Sequence, residues 1–157
     1  MNDDKYLKHA ELTIDAPPAE IFALLSDPDR HPEIDGSGTV RGVQASTAPL
    51  RAGSVFDMHM KHGYSYSTRN TVVELQPDRV IAWQTRPLTR PLSWLIGGRI
   101  WRYELTPDGS GTRVMGTWDL RPERKRALVR PLAGDPGADM LETLRRIGRI
   151  VTGGRES

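Results

Sequence analysis

Few residues in this chain have the types and spacing that chemistry requires. His59 and His62 form an HxxH pair. From Ser54 to His62, however, the apolar residues Phe56, Met58 and Met60 alternate with polar ones, so the segment reads as a strand. On a strand, residues three apart point to opposite faces, and the two imidazoles are not expected to share a metal. His9 and His31 are isolated, and HExxH is absent. Ser37 and Ser110 each lie between glycines, in turn-like loops with no strand-to-helix elbow behind them. No GxGxxG or Walker loop occurs, so neither a cofactor nor a metal is expected. The chain has no cysteine, which excludes thiolate catalysis, disulfides and cysteine-held metals. What remains are Tyr66, Asn70, Gln84, Tyr103 and Asp119, groups able to polarise a carbonyl or move a proton inside a cavity. Tyr103 is the leading catalytic candidate because it follows Trp101 on the same strand face. Its plain alternative is a buried tyrosine with a satisfied hydroxyl. No acid–base pair accompanies it. His62 shares the parity of Met58 and Met60, and reads either as a pocket-mouth residue or as a surface residue beside a turn.

The apolar residues form a larger set. Phe56, Met58, Met60, Trp83, Trp101, Tyr103 and Trp118 can be placed on one sheet face by strand parity, and Tyr66 is expected to join them as a ligand contact. Met140, Leu141, Leu144 and Ile147 would face them from a helix. Flat rings and flexible thioethers suit an adaptable apolar site, and this set is the expected ligand-binding wall. Ordinary core packing is the competing reading for each member.

The elements that must position these residues can be read along the chain. Tyr6 to Ile14 alternates as a half-buried strand. Pro17, Pro18 and Glu20 suit a helix first turn, and Ile21, Leu24 and Leu25 continue at helical spacing to Ser26-Asp27-Pro28. Asp29 to Ile34 reads as a second short helical turn. From there to about residue 136 the helical signal vanishes. Strand-like segments follow at 39–44, 54–62, 64–75, 80–86, 99–106 and 112–120, joined by short Gly, Pro and Asp turns. Such connections make an antiparallel sheet. The last element is a helix from about 136 to 152, with Asp135 as cap, Pro136 in its first turn and arginines late. Met140, Leu141, Leu144, Ile147 and Val151 form its apolar stripe. Helices segregated at the ends of the chain argue an α+β fold. A long sheet curls as it twists, and the striped helix must lie in its concave face. The chain of 157 residues is expected to form a single domain over 1–157, large enough to bury a core unaided.

In this order the elements resemble the START-related helix-grip superfamily, and most closely its bacterial polyketide cyclase/dehydrase-like (SRPBCC) branch. The residues carrying the resemblance are Ile14-Asp15-Ala16-Pro17-Pro18-Ala19-Glu20-Ile21-Phe22 and Leu25-Ser26-Asp27-Pro28-Asp29-Arg30. Trp101-Arg102-Tyr103-Glu104-Leu105, Gly111-Thr112-Arg113-Val114 and the terminal helix complete it. The resemblance implies a curved antiparallel sheet of six to seven strands gripping a long C-terminal helix, two short helices after the first strand, and a deep hydrophobic cavity. It does not select one function, since lipid carriers, hormone receptors and aromatase/cyclases share the fold.

Three functions stand open. The first is binding or carrying an apolar, lipid-like small molecule. The second is aromatase/cyclase-type catalysis on a polyketide-like substrate. The third is a membrane- or protein-interaction module. The many apolar wall residues favour the first. Two surface segments bear on the third: the 86–96 stretch around Trp94, and the basic cluster Arg121, Arg124, Lys125, Arg126 and Arg130. A weak contact with an anionic membrane is one expectation for them; a solvated loop is the other. A net charge of +2 gives no argument for specific nucleic acid binding. The acidic start lacks an apolar core and is not expected to be a signal peptide. The expected location is the cytoplasm, as a monomer or homodimer.

Overall fold

The computed structural model describes residues 5–45, 49–61, 65–88 and 97–153. Seven strands among these residues form one antiparallel sheet: β1 (Leu7–Ile14), β2 (Val40–Ala45), β3 (Val55–Lys61), β4 (Ser65–Gln76), β5 (Val80–Pro87), β6 (Arg99–Asp108) and β7 (Gly111–Asp119). The spatial order is β1-β7-β6-β5-β4-β3-β2. Consecutive strands from β2 to β7 are neighbours, and β1 lies at the edge against β7. Curvature has local causes. The register shifts between Val40 and Gly42 in β2 and between Val72 and Glu74 in β4, and such bulges bend a strand and increase its twist.

Helix α1 (Pro18–Leu25) buries Ile21, Phe22, Leu24 and Leu25. A 3₁₀ turn (Pro28–Arg30) and the short α2 (His31–Ile34) follow, Asp27 accepting from the Asp29 amide at their start. The sequence reading missed α3 (Arg126–Val129) and the 3₁₀ turn after it (Arg130–Leu132). Four helical residues give too short a window for periodicity to register, and the arginines mask the apolar content. The last helix, α4 (Pro136–Val151), is capped by Asp135, whose carboxylate accepts from the Ala138 amide. It packs along β1 and β7 and also meets α1 and α2.

The chain between α2 and β2 is pinned to α4. The Gly36 amide donates to Thr143 Oγ1 at 2.9 Å, and Arg146 Nη1 donates to the Asp35 carbonyl at 2.8 Å. A Cβ on residue 36 would stand 2.2 Å from the Asp139 carbonyl oxygen. Only glycine allows this backbone approach, and it fixes one wall of the space described next.

Candidate functional site

Between the sheet, the 35–40 segment and the first half of α4 lies a cavity of about 110 Å³. Its sheet wall is Met58 and Met60 of β3, Thr68 and Asn70 of β4, Trp83 and Thr85 of β5, and Trp101 and Tyr103 of β6. His31, Ile34, Asp35, Ser37, Thr39 and Val40 close one side, and Asp139, Met140 and Thr143 of α4 form the roof.

Strand parity thus brings Met58, Met60, Trp83, Trp101 and Tyr103 together on the wall, and the helix adds Met140. Other residues expected there lie elsewhere. Phe56 is buried one layer back, edge-on to His31 at 5.5 Å and to Trp83 at 5.8 Å. Trp118 is fully buried, with the Arg130 guanidinium 5.5 Å above its ring; the unforeseen segment after β7 covers it. Leu144 and Ile147 are fully buried but off the cavity wall. They belong to the later turns of α4, where Gly148 brings the helix against Ile14. The helix therefore divides its stripe: Met140 faces open space and Leu144 faces packed core. Leu141 is half-buried, turned about 100° from Met140 by the helical period. Tyr66 is half-buried, two residues before Thr68 near the start of β4, and is not on the wall. Gln84 and Asp119 follow Trp83 and Trp118 directly and so point to the other sheet face. There Gln84 Nε2 donates to the Gly98 carbonyl at 2.8 Å, and Asp119 pairs with Arg121 at 2.9 Å. His62 and the Trp94 segment lie outside the described residues.

The sequence reading also missed wall residues. Thr68 shares the face of Asn70 two positions on, and Thr85 that of Trp83; both were readable from period two but carry no apolar signal. Thr143 sits one turn after Met140. His31, isolated in the sequence, is a buried member of the wall. Its ring stacks on Trp83 at 5.0 Å, and Nε2 donates to the Leu25 carbonyl at 2.9 Å. A carbonyl only accepts, so the neutral ring carries its proton on Nε2 and leaves Nδ1 as an acceptor.

Burial pulls the His31 pKa below its ordinary value, outweighing the Leu25 carbonyl and the charges of Asp27, Asp35 and Asp29, which act the other way. A base whose folded pKa is lowered binds its proton more readily when unfolded. Its contribution to stability is therefore complete above the unfolded value of about 6.5 and is lost as pH falls below it, at up to about 1.4 kcal/mol per pH unit. Urea midpoints measured at pH 7.5 and 5.5 should drop on acidification, and the drop should shrink in His31→Gln. An equal drop in both proteins would remove His31 from the account.

Tyr103 is buried, and the residue opposite it is Gly116. A Cβ on residue 116 would stand 2.8 Å from Met140 Cε and 3.3 Å from the Tyr103 ring, so that glycine makes room for both wall residues. Burial, helped by the Asp35 charge, pushes the phenol far above its ordinary pKa. The hydroxyl stays protonated and is a donor. Asn70 is internally satisfied: Thr85 Oγ1 donates to its Oδ1 at 2.6 Å, and its Nδ2 donates to the Phe56 carbonyl at 3.3 Å. Among the described residues no three His, Asp or Glu side chains converge to hold a metal ion. No helix among them is long and apolar enough to cross a membrane.

The arrangement is a largely apolar space, partly open to solvent, with inward polar groups, which is how small-molecule sites are generally built. The family model for polyketide cyclase / dehydrase and lipid transport matches residues 9–148, and the chain belongs to that family. An uncharacterized protein of Mycobacterium tuberculosis, Rv0088, is 42% identical over 108 residues, which are 66% of this chain and 43% of that protein. The chain thus matches less than half the length of that curated relative. The crystal structure of protein Ms6760 from Mycobacterium smegmatis superposes with a TM-score of 0.71 at 15% identity, covering 98% of this chain and 96% of the other. Ginseng major latex-like protein 151 from Panax ginseng does so with a TM-score of 0.65 at 14% identity, covering 92% and 96%. These structures share the fold, which is the helix-grip α+β fold expected from the sequence, and it is a ligand-binding fold.

Proposed function

We propose that this chain binds and carries an apolar small molecule in the cavity beneath α4. The single observation behind this reading is the composition of the wall. Met58, Met60, Trp83, Trp101, Ile34, Val40 and Met140 surround the space. The space, about 110 Å³, approaches the ~150 Å³ cavity that holds one benzene ring in an engineered protein, and it is partly open to solvent, so one ring fits within the walls and a larger ligand extends through the opening. Native mass spectrometry of protein purified without denaturation should show a bound mass. Titration with N-phenyl-1-naphthylamine, a neutral fluorescent probe, should saturate with a Kd on the order of micromolar. No saturable binding of the probe and no retained mass would sink the reading.

Catalysis of the cyclase type is the alternative, and Tyr103 separates the two. In a carrier, Tyr103→Phe removes at most one hydrogen bond to an oxygenated ligand, about 0.5–1.5 kcal/mol of affinity, with the fold intact. In a cyclase using the hydroxyl as proton donor, the same change should cost roughly 100-fold or more in turnover with affinity little altered. The measurement is paired affinity and turnover on an oxygenated polycyclic compound. We expect the first pattern; the second would replace the carrier with an enzyme.

A second reading concerns the surface near α3. Leu128 and Leu132 are 67% and 79% exposed, four positions apart across α3 and the 3₁₀ turn. Arg124 and Lys125 stand exposed beside them, and the only acid from 120 to 134 is Glu123, which is buried. Exposed leucines rimmed by cations fit an anionic bilayer. Phosphatidylglycerol-containing vesicles should cosediment with the protein at low salt, and neutral phosphatidylcholine vesicles should not. Binding unchanged in a Leu128→Asp/Leu132→Asp double variant would refute this contact.

A further inference from the structure

The cavity's polar groups do more than interrupt its wall. Thr68 is 4% exposed, lines the cavity, and its Oγ1 has no hydrogen-bond partner among the described residues. Buried hydroxyls are rarely left so, because an unmet donor and acceptor carries a desolvation cost. The neighbours do not supply the partner. Asn70 and Thr85 are bonded to each other, and Asn70 also reaches the Phe56 carbonyl. Across the strands, Thr68 faces Met58 on one side and Pro87 on the other, and neither side chain offers a strong hydrogen-bonding group.

Charge on the wall points the same way. No Lys or Arg belongs to the wall among the described residues, whereas Asp35 does. The Asp35 carboxylate is fixed by the Ser37 and Val40 amides, at 3.1 and 2.9 Å. An anion entering this space would lose its hydration, find no cation and meet a carboxylate. A threonine hydroxyl, by contrast, both donates and accepts, so it can serve an alcohol or a ketone equally well.

We infer that the cavity selects a compact neutral molecule bearing a hydroxyl or carbonyl, which Thr68 engages, and that it rejects the corresponding carboxylate. The inference rests on the carrier reading and gives it a ligand class: neutral oxygenated apolar compounds, with free acids excluded. Thr68 is the residue that determines specificity.

A matched series tests it by isothermal titration calorimetry at pH 7.5: naphthalene, 2-naphthol and 2-naphthoate, which share one ring system. In the unmodified protein, 2-naphthol should bind about 3–10-fold more tightly than naphthalene, as expected for one satisfied hydrogen bond. 2-Naphthoate should bind at least about tenfold more weakly than 2-naphthol, the effect of an uncompensated buried charge. Thr68→Val keeps the shape of the side chain and should bring naphthol and naphthalene within about twofold of each other. Thr68→Ser, which restores the hydroxyl, should restore the preference. Naphthoate binding as tightly as naphthol, or a naphthol preference that survives Thr68→Val, overturns the inference and leaves the carrier reading standing. Failure of all three compounds to bind overturns the inference, and the carrier reading falls with it only if the fluorescent probe does not saturate and native mass spectrometry shows no bound mass.

Discussion

Trp83→Ala should destabilise the fold by about 3–5 kcal/mol, the range for truncating a large buried aromatic. Trp83 lies on β5, the middle strand of the sheet order, and is 7% exposed. His31 stacks on it at 5.0 Å, Phe56 meets it edge-on at 5.8 Å, and Tyr103 lies tilted against it at 5.8 Å. These contacts tie α2, β3 and β6 to the central strand. Removing the indole leaves His31 without its stacking partner and joins new empty space to an existing cavity, which the surroundings cannot refill. For a chain of this size the thermal midpoint should fall by on the order of 10 °C or more. Trp83→Phe keeps a ring in the site and should cost much less. Excess indole should return part of the loss in Trp83→Ala, because a ligand that binds only the folded state stabilises it. A loss below about 1 kcal/mol in urea denaturation would mean that the aromatic cluster does not hold the wall together.

The architecture was legible for a physical reason. Period-two alternation in the strands and the striped, capped helix at 136–151 are local signals, and the turns between strands left little choice of topology. The expected strand segments agree with the observed ones to within a few residues at their ends. The cavity was legible only in part, because parity gives the face of a residue and not its depth or neighbours. Trp101 and Trp118 have the same parity and are cross-strand partners, yet one lines the cavity and the other lies under Arg130. That difference arises from α3 and the following turn, whose amphipathic pattern is too short to read. Likewise Met140 and Leu144 share one stripe of α4, and only the docking of Gly36 on the helix decides which of them meets open space. Thr68 and His31 are illegible for another reason: a lone threonine or histidine belongs to no spacing that marks it. An unpaired hydroxyl becomes informative only when its surroundings are known.

Trp101→Ala should leave the protein folded and weaken binding of N-phenyl-1-naphthylamine by well over an order of magnitude. Trp101 pairs across the strands with Trp83 and with Trp118, but unlike both it is only half-buried. Part of its ring therefore faces space that a ligand would occupy, and that part makes few contacts whose loss would unfold the protein. If roughly 40 Å² of ring surface and as much of the ligand leave water on contact, at about 25 cal/mol per Å² the lost contact is worth about 2 kcal/mol, or roughly 30-fold in Kd. Stability should fall by less than in Trp83→Ala, since less of this ring leaves water on folding. The two substitutions then separate the functions of neighbouring tryptophans: one holds the wall together and the other presents it to the ligand. Probe titration and urea denaturation on both variants measure this directly. A Kd within about threefold of the unmodified protein in Trp101→Ala would place the ligand away from β6 and remove Trp101 from the binding wall.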